Sequence, residues 1–284
     1  MTVPPVLRDR QDRCPGVLRP WPADDGLLVR LRLIGGHVTA TQLTDLVGVA
    51  ERYGDGRIHV TSRANLQLRA FPGTDGHLDE AALLALESTG LLPTRTHELM
   101  RNVMISPRTG IAGGRADLTP LGRDLDARLC ADPALAHVPG KFLFVLDDGR
   151  GDLLNHTCDL GLVALDDTTA QLRIGDGWGE IVDLNDASTT LVELTVRFLQ
   201  IRGTGPTAAW HVQECATPLA DAHRPDPRLP TPIDPLPYGD VPGGRHVEVP
   251  ATGLDRAAID TLTADSDRLI VTPWRGIYLP KDPA

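Results

Sequence analysis

The chain repeats itself, once near each end. Arg57-Ile-His-Val-Thr-Ser-Arg-Ala-Asn-Leu-Gln-Leu-Arg69 aligns without a gap on Arg268-Leu-Ile-Val-Thr-Pro-Trp-Arg-Gly-Ile-Tyr-Leu-Pro280. Arg57/Arg268, Val60/Val271, Thr61/Thr272 and Leu68/Leu279 are identical, and Ile58/Leu269 and Leu66/Ile277 are conservative. Each copy reads as two short strands around a Thr-Ser or Thr-Pro corner, with apolar residues alternating. Copies so far apart predict two halves that pair about a pseudo-two-fold axis, with something else inserted between them. Such an axis can hold one ligand between two similar surfaces. The first corner carries Arg63 and Arg69, the second Trp274 and Arg275, so the chemistry has diverged on a common apolar frame.

Around the repeat the pattern is mixed α and β. Residues 1–25 are rich in Pro and Asp and read as irregular. Leu27–Ile34 alternates, with Leu27, Val29, Leu31 and Leu33 on one face and Arg30 and Arg32 on the other, a half-buried strand ending at Gly35-Gly36. Thr41–Tyr53 places Leu43, Leu46, Val47 and Ala50 on one helical stripe. A second helix is predicted over Asp79–Ser88, a strand at Arg101–Pro107, a helix over Leu121–Ala131 and a buried strand over Gly140–Leu146. Asp147-Asp148-Gly149 signals a hairpin turn. Further hairpin strands at Asp159–Leu165 and Gln171–Ile174 precede an amphipathic helix over Ala187–Ile201. Eight prolines between Pro218 and Pro242 predict an extended linker. The domains expected are residues 1–96, 97–215, the linker 216–242, and 243–284.

At 284 residues the chain is long enough for two or three domains with real cores. A 41% hydrophobic and 23% charged composition is that of a globular protein. With no long apolar stretch and no basic leader, neither a membrane span nor a secretory signal is expected, and cytoplasm is the default location. The net charge of −10 argues against a nucleic-acid surface but allows a local cluster of cations for a small anion. Arginine far outnumbers lysine, and Lys141 is the one lysine away from the C-terminal tail. An ammonium is a compact, strongly hydrated point charge that a guanidinium does not replace.

Thr61-Ser-Arg-Ala-Asn-Leu-Gln-Leu-Arg69, Arg101-Asn-Val-Met-Ile-Ser-Pro107, Pro139-Gly-Lys-Phe142 and Thr272-Pro-Trp-Arg275, in this order, resemble the sirohaem nitrite and sulfite reductase superfamily. The Cys14-Pro-Gly-Val-Leu18 start and the Lys141–Asp152 run are most similar to its cobalamin-pathway branch, the precorrin-3B synthases. The resemblance implies an α+β fold of two ferredoxin-like half-domains plus one sirohaem-type domain. It also implies an oxygen-dependent oxidation of precorrin-3A to precorrin-3B, with hydroxylation and lactone formation, and a separate electron donor. Arg63, Arg69, Arg101 and Lys141 are then expected to meet the carboxylates of sirohaem or of a tetrapyrrole substrate, with Asn65 and Gln67 on the same polar face. Leu143 stands where the reductases carry a second lysine, which weighs against reduction of nitrite or sulfite. The family's 4Fe-4S cluster needs closely spaced cysteine pairs. Cys14, Cys130, Cys158 and Cys215 form no such pair. A partner chain supplying the cluster, or a non-catalytic tetrapyrrole-binding role, follows as the alternative.

The other polar groups read as structural. Asp147, Asp148 and Asp152 are expected to be a solvated turn rather than a metal site. His211 and Glu214 are expected to cap a helix end, and no mononuclear iron site or other metal site is placed. Gly110, Gly113 and Gly114 could offer backbone N–H groups to phosphate, a weak signal by itself. The four cysteines are expected to be buried thiols, and no catalytic residue is assigned.

Overall fold

The computed structural model describes residues 12–264 and 266–281. The N-terminal residues 1–11, expected to be irregular, lie outside the described residues. The chain divides into two compact units. One comprises Cys14–Glu98 with Leu236–Ala284, and the other comprises Met1–Arg13 with Leu99–Pro235.

The first unit begins with β1 (Trp21–Ala23), which forms a hairpin with β2 (Gly26–Leu31), the alternating run of the sequence. β3 (His37–Thr39) leads into α1 (Ala40–Tyr53), which buries Leu43, Leu46, Val47 and Ala50 as the stripe requires. Thr39 and Gln42 form a reciprocal cap. Thr39 Oγ1 accepts from Gln42 N, and Gln42 Oε1 accepts from Thr39 N, each at 3.1 Å. β4 (His59–Val60) and β5 (Leu66–Phe71) follow, giving an antiparallel sheet of order β1-β2-β5-β4. A small hairpin, β6 (Gly73–Thr74) with β7 (His77–Leu78), and α2 (Glu80–Ser88) complete this half.

The inserted unit holds β8 (Val103–Ile105), α3 (Thr119–Ala131), β9 (Phe144–Asp147), β10 (Leu160–Ala164), β11 (Thr169–Ile174), β12 (Gly177–Asp183) and α4 (Ala187–Ile201). Its sheet runs β12-β11-β10-β9-β8. Phe142, Phe144 and Phe198 stack with centroid separations of 5.2 and 4.8 Å, pinning α4 beside the sheet. One expectation fails here. β9 and β10 are parallel, so Asp147-Asp148-Gly149 is not a hairpin turn; parallel neighbours need a longer crossover than a two-residue turn. The proline-rich segment is irregular and is anchored over its first part. Gln171 holds it from both sides, donating to the Arg224 carbonyl at 2.9 Å and accepting from Asp226 N at 2.8 Å, and Ile233 N donates to the Gly151 carbonyl. Proline has no N–H, so the segment is fixed through its remaining amides and carbonyls.

The second half returns to the first unit with β13 (Gly239–Val241), β14 (Gly244–Glu248), α5 (Arg256–Thr263), β15 (Arg268–Val271) and β16 (Gly276–Pro280). Its strand order, β13-β14-β16-β15, repeats β1-β2-β5-β4. The halves exchange edges reciprocally. Val38 of β3, two residues before α1, pairs with Leu269 of β15, while Leu254, two residues before α5, bridges Ile58 with N–H···O bonds of 2.9 and 2.8 Å. Ile58 and Leu269 are equivalent in the repeat, so these are two copies of one contact. One core, from Val29, Leu46 and Leu66 in the first half to Ile259, Leu269 and Ile277 in the second, is common to both. The duplication read from sequence is thus a structural duplication, and the fold is α+β. Among the described residues no helix is long and apolar enough to cross a membrane.

Candidate functional site

The two corners share one backbone geometry. Thr61 N donates to the Asn65 carbonyl and Thr272 N to the Gly276 carbonyl, both at 2.9 Å. The threonine hydroxyl then accepts from the N–H four residues on, at 3.2 Å in each copy. The residue between, Ala64 or Arg275, takes a left-handed φ of 55° or 58°, a strain of roughly 1 kcal/mol. Asn65 is buried, and its Oδ1 accepts from Leu33 N at 2.9 Å. It therefore braces the corner and leaves the polar face expected of it to Gln67 and Arg69.

Between the first corner and residues of the second half lies a cleft of about 450 Å³. Arg30, Arg69, His59, Thr61, Ser62 and Gln67 line it from the first half, and Tyr238, Glu248 and Arg275 from the second. Arg30 stands opposite Gln67 in the β2–β5 register and donates from Nη2 to Gln67 Oε1 at 3.1 Å. Its Nε is buried and has no hydrogen-bond partner. Burial lowers the Arg30 pKa, and the neighbouring Arg63 charge lowers it further. A buried guanidinium N–H without an acceptor is costly to leave unmade, and an incoming anion would satisfy it. Arg69 pairs with Asp25 at 2.9 Å, an exposed contact open to exchange with solvent or ligand. Gln67 and Arg69 line the cleft, and the Arg63 charge is felt by Arg30. Arg30 and the participation of Arg275 were missed. The only signal for Arg30 was the polar face shared with Arg32, and the two differ: Arg32 is buried and donates to the Pro15 carbonyl at 3.2 Å.

The predicted cations of the inserted unit have other company. Arg101 forms a fork on Asp126 of α3, Nε to Oδ1 at 2.7 Å and Nη2 to Oδ2 at 2.8 Å, and is buried there. Its charge is already met by a bidentate carboxylate. Lys141 Nζ lies 4.7 Å from the Trp210 ring centroid, a cation–π contact. Leu143 is buried, and its N–H donates to Asp159 Oδ2 at 2.9 Å. His211 also leans on Asp159, at 3.1 Å, while Glu214 Oε2 accepts from the N–H groups of Trp210 and His211. That pair caps its turn, as read from the sequence.

Asp147, Asp148 and Asp152 are buried, which overturns the solvated turn. Asp147 accepts from the N–H groups of Gly149, Gly151 and Leu153 at 2.9 to 3.0 Å. Arg150 grips Asp148, and Ser106 Oγ donates to Asp152 at 2.7 Å. Burial and the Asp147 charge push Asp152 up to about 7. Their oxygens are close enough for a metal, yet each carboxylate is engaged by protein donors that hold the parallel crossover. The Gly-rich loop closes on Asp117 and Asp148, where a Cβ on Gly110 or Gly114 would clash, and acids there repel phosphate. Burial pushes the Cys158 thiol up to about 12 and Cys215 up to about 11, and raises Cys130 as well. Cys14 belongs to the other unit. Among the described residues no cysteine joins a group of three or more candidate ligands within reach of one metal ion, so this donor set does not fit a 4Fe-4S cluster.

Residues 22–75 match the nitrite/sulfite reductase ferredoxin-like half domain. Over 64 residues the chain is 43% identical to the precorrin-3B synthase of a Sinorhizobium species, covering 22% of this chain and 14% of that protein. Over 146 residues it is 30% identical to the ferredoxin–nitrite reductase of Leptolyngbya laminosa, covering 48% of this chain and 27% of that one. The Mycobacterium tuberculosis NirA protein has the same fold, with a TM-score of 0.66 at 17% identity over 95% of this chain and 58% of its own. Residues 22–75 thus carry the ferredoxin-like half domain of the nitrite/sulfite reductases. Over parts of its length the sequence is similar both to a reductase and to a precorrin-3B synthase. It spans less than two thirds of the length of these relatives.

Proposed function

We propose that this chain binds a carboxylate-rich tetrapyrrole in the arginine-lined cleft and serves the precorrin-3B synthase branch of its superfamily. The observation that carries the reading is Arg30, a partly buried guanidinium with an unpaired Nε in a cleft that also presents Arg69 and Arg275. Arginine forks match carboxylates better than any other side chain. Gln67 fixes the Arg30 fork, and the Arg63 charge adds to the positive potential at Arg30. The 43% identity to a precorrin-3B synthase supports the substrate class.

On this reading the reaction is an oxygen-dependent hydroxylation of precorrin-3A with lactone formation. One oxygen atom enters the product, the other leaves as water, and an external donor supplies the electron pair. The chain's own residues bind and orient the macrocycle; the cysteines do not fit a cluster, so a partner chain is assigned the redox centre. Reduction of nitrite or sulfite is disfavoured by the buried Leu143, where a second cation would be needed to hold a small polyanion. A non-catalytic tetrapyrrole-binding role is the second reading, favoured by the cysteines, none of which joins a metal-competent group among the described residues.

Absorbance titration with uroporphyrin, a planar macrocycle ringed with carboxylates, tests the binding. Saturable binding is expected, weakened roughly thirtyfold by Arg30→Gln, the scale of a lost hydrogen bond to a charged group. Equal binding by the variant would sink the reading. Anaerobic reconstitution with iron and sulfide separates the two roles. Cluster assembly lost on changing a cysteine to alanine would restore a complete redox enzyme in this one chain.

A further inference from the structure

We infer that Tyr238 determines the specificity of the cleft, as a fixed aromatic platform that selects carboxylates carried on a planar conjugated body over small oxyanions and flexible carboxylates. The inference rests on the cleft being a carboxylate site and adds the shape of what it takes.

Tyr238 lines the cleft together with Arg30, Arg69 and Arg275 and is 46% exposed, one of the large side chains left open to solvent. An exposed tyrosine is ordinarily free to move. This one is held at both ends. Its Oη donates to the Trp274 carbonyl at 2.6 Å, and its ring lies 4.7 Å from that of His246, inclined at 38°. His246 is in turn immobile. It is buried, with Nε2 2.9 Å from Thr272 Oγ1 and Nδ1 3.0 Å from the Leu236 carbonyl. Trp274 closes the stack edge-on, 6.3 Å from His246 at 76°.

The second corner thus carries a small aromatic tower whose outermost ring is presented to the cleft. A ring already fixed in place loses little entropy when a ligand covers it. Stacking then adds to charge pairing, because a flat π-system buries the ring while its carboxylates reach the arginines. A free oxyanion meets only the arginines. A flexible aliphatic tricarboxylate meets them without stacking. The preference follows from where the ring sits, not from its hydroxyl, which the Trp274 carbonyl already engages.

The test compares wild-type chain, Tyr238→Ala and Tyr238→Phe in titrations with uroporphyrin, tricarballylate and sulfite. Tyr238→Ala is expected to weaken uroporphyrin about tenfold, the scale of one lost aromatic stack, and to change tricarballylate and sulfite by less than about twofold. Tyr238→Phe keeps the ring and is expected to hold uroporphyrin within about twofold of wild type. A uniform loss for all three ligands in Tyr238→Ala would show that the ring only shapes the cleft and would overturn the inference. So would unchanged uroporphyrin binding. Failure of the underlying carboxylate site looks different: Arg30→Gln would then leave all binding intact, or the wild-type chain would bind neither carboxylate, and the inference would fall with it.

Discussion

Arg30 and His246 hold the same place in the two halves. Arg30 faces Gln67 across β2 and β5, and His246 faces Tyr278 across β14 and β16, with Gln67 and Tyr278 equivalent in the repeat. In the first half that place is half-open, cationic and short of one acceptor. In the second it is buried, neutral and fully hydrogen-bonded. The corners show the same division: Arg63 in one copy is Trp274 in the other. What did not diverge is the frame, namely strand order, corner hydrogen bonds, reciprocal edge exchange and helix caps. The common core constrains every apolar position from both sides, whereas positions facing the cleft answer only to a ligand. One half has become the binding surface and the other its support.

The seam between the halves is the place to break this arrangement most severely. Gly36 has φ +76°, and a Cβ there would lie 2.0 Å from the Val271 carbonyl oxygen beside the β3–β15 pairing. Gly36→Ala is expected to lose more than about 4 kcal/mol in chemical denaturation, or to fail to fold. Gly253→Ala, at the reciprocal bridge, meets its nearest atoms at 3.0 Å and should lose clearly less. Equal, mild effects would mean that the exchange does not hold the halves together.

Ligand binding should separate the halves next. Arg30→Gln is expected to weaken uroporphyrin by about 2 kcal/mol, while His246→Gln at the equivalent position changes it by less than about 0.7 kcal/mol, the threefold that indirect loosening of the Tyr238 support allows. Titration of both variants decides the matter; similar losses would erase the distinction between binding half and supporting half.

The helix caps should sharpen it from the opposite side. Thr39 caps α1, and Asp255 caps α5 by accepting from Ala258 N at 3.1 Å. Thr39→Ala and Asp255→Ala should each lower unfolding stability by about 1 kcal/mol, equally in the two halves because caps belong to the frame.

The smallest effect is in acid. Burial holds the His246 pKa below the ordinary histidine value, so the folded state favours neutral imidazole. That contribution is present above about pH 6.5 and is lost as the pH falls from there through the lowered folded value. Arg30 keeps its charge throughout. Amide hydrogen exchange between pH 7.5 and 5.5 should therefore show the second half loosening first, and His246→Gln should flatten the difference.

The sequence by itself determined the duplication, the α+β class, the α1 stripe, the span of α4 and the shared corners. These are properties of near neighbours: periodicity, turn chemistry and a repeated string each lie within a few residues. Only the tertiary structure decided which charges are available. Arg101 and Arg30 look alike on paper, yet Asp126 approaches one from α3 with a full carboxylate, while Gln67 leaves the other with an unpaired Nε. Likewise Asp147 reads as a turn residue until the parallel pairing of β9 and β10 buries it under three backbone N–H groups. Whether an ionised group is neutralised, buried or left facing a cleft depends on which distant element folds against it, and no local pattern carries that information.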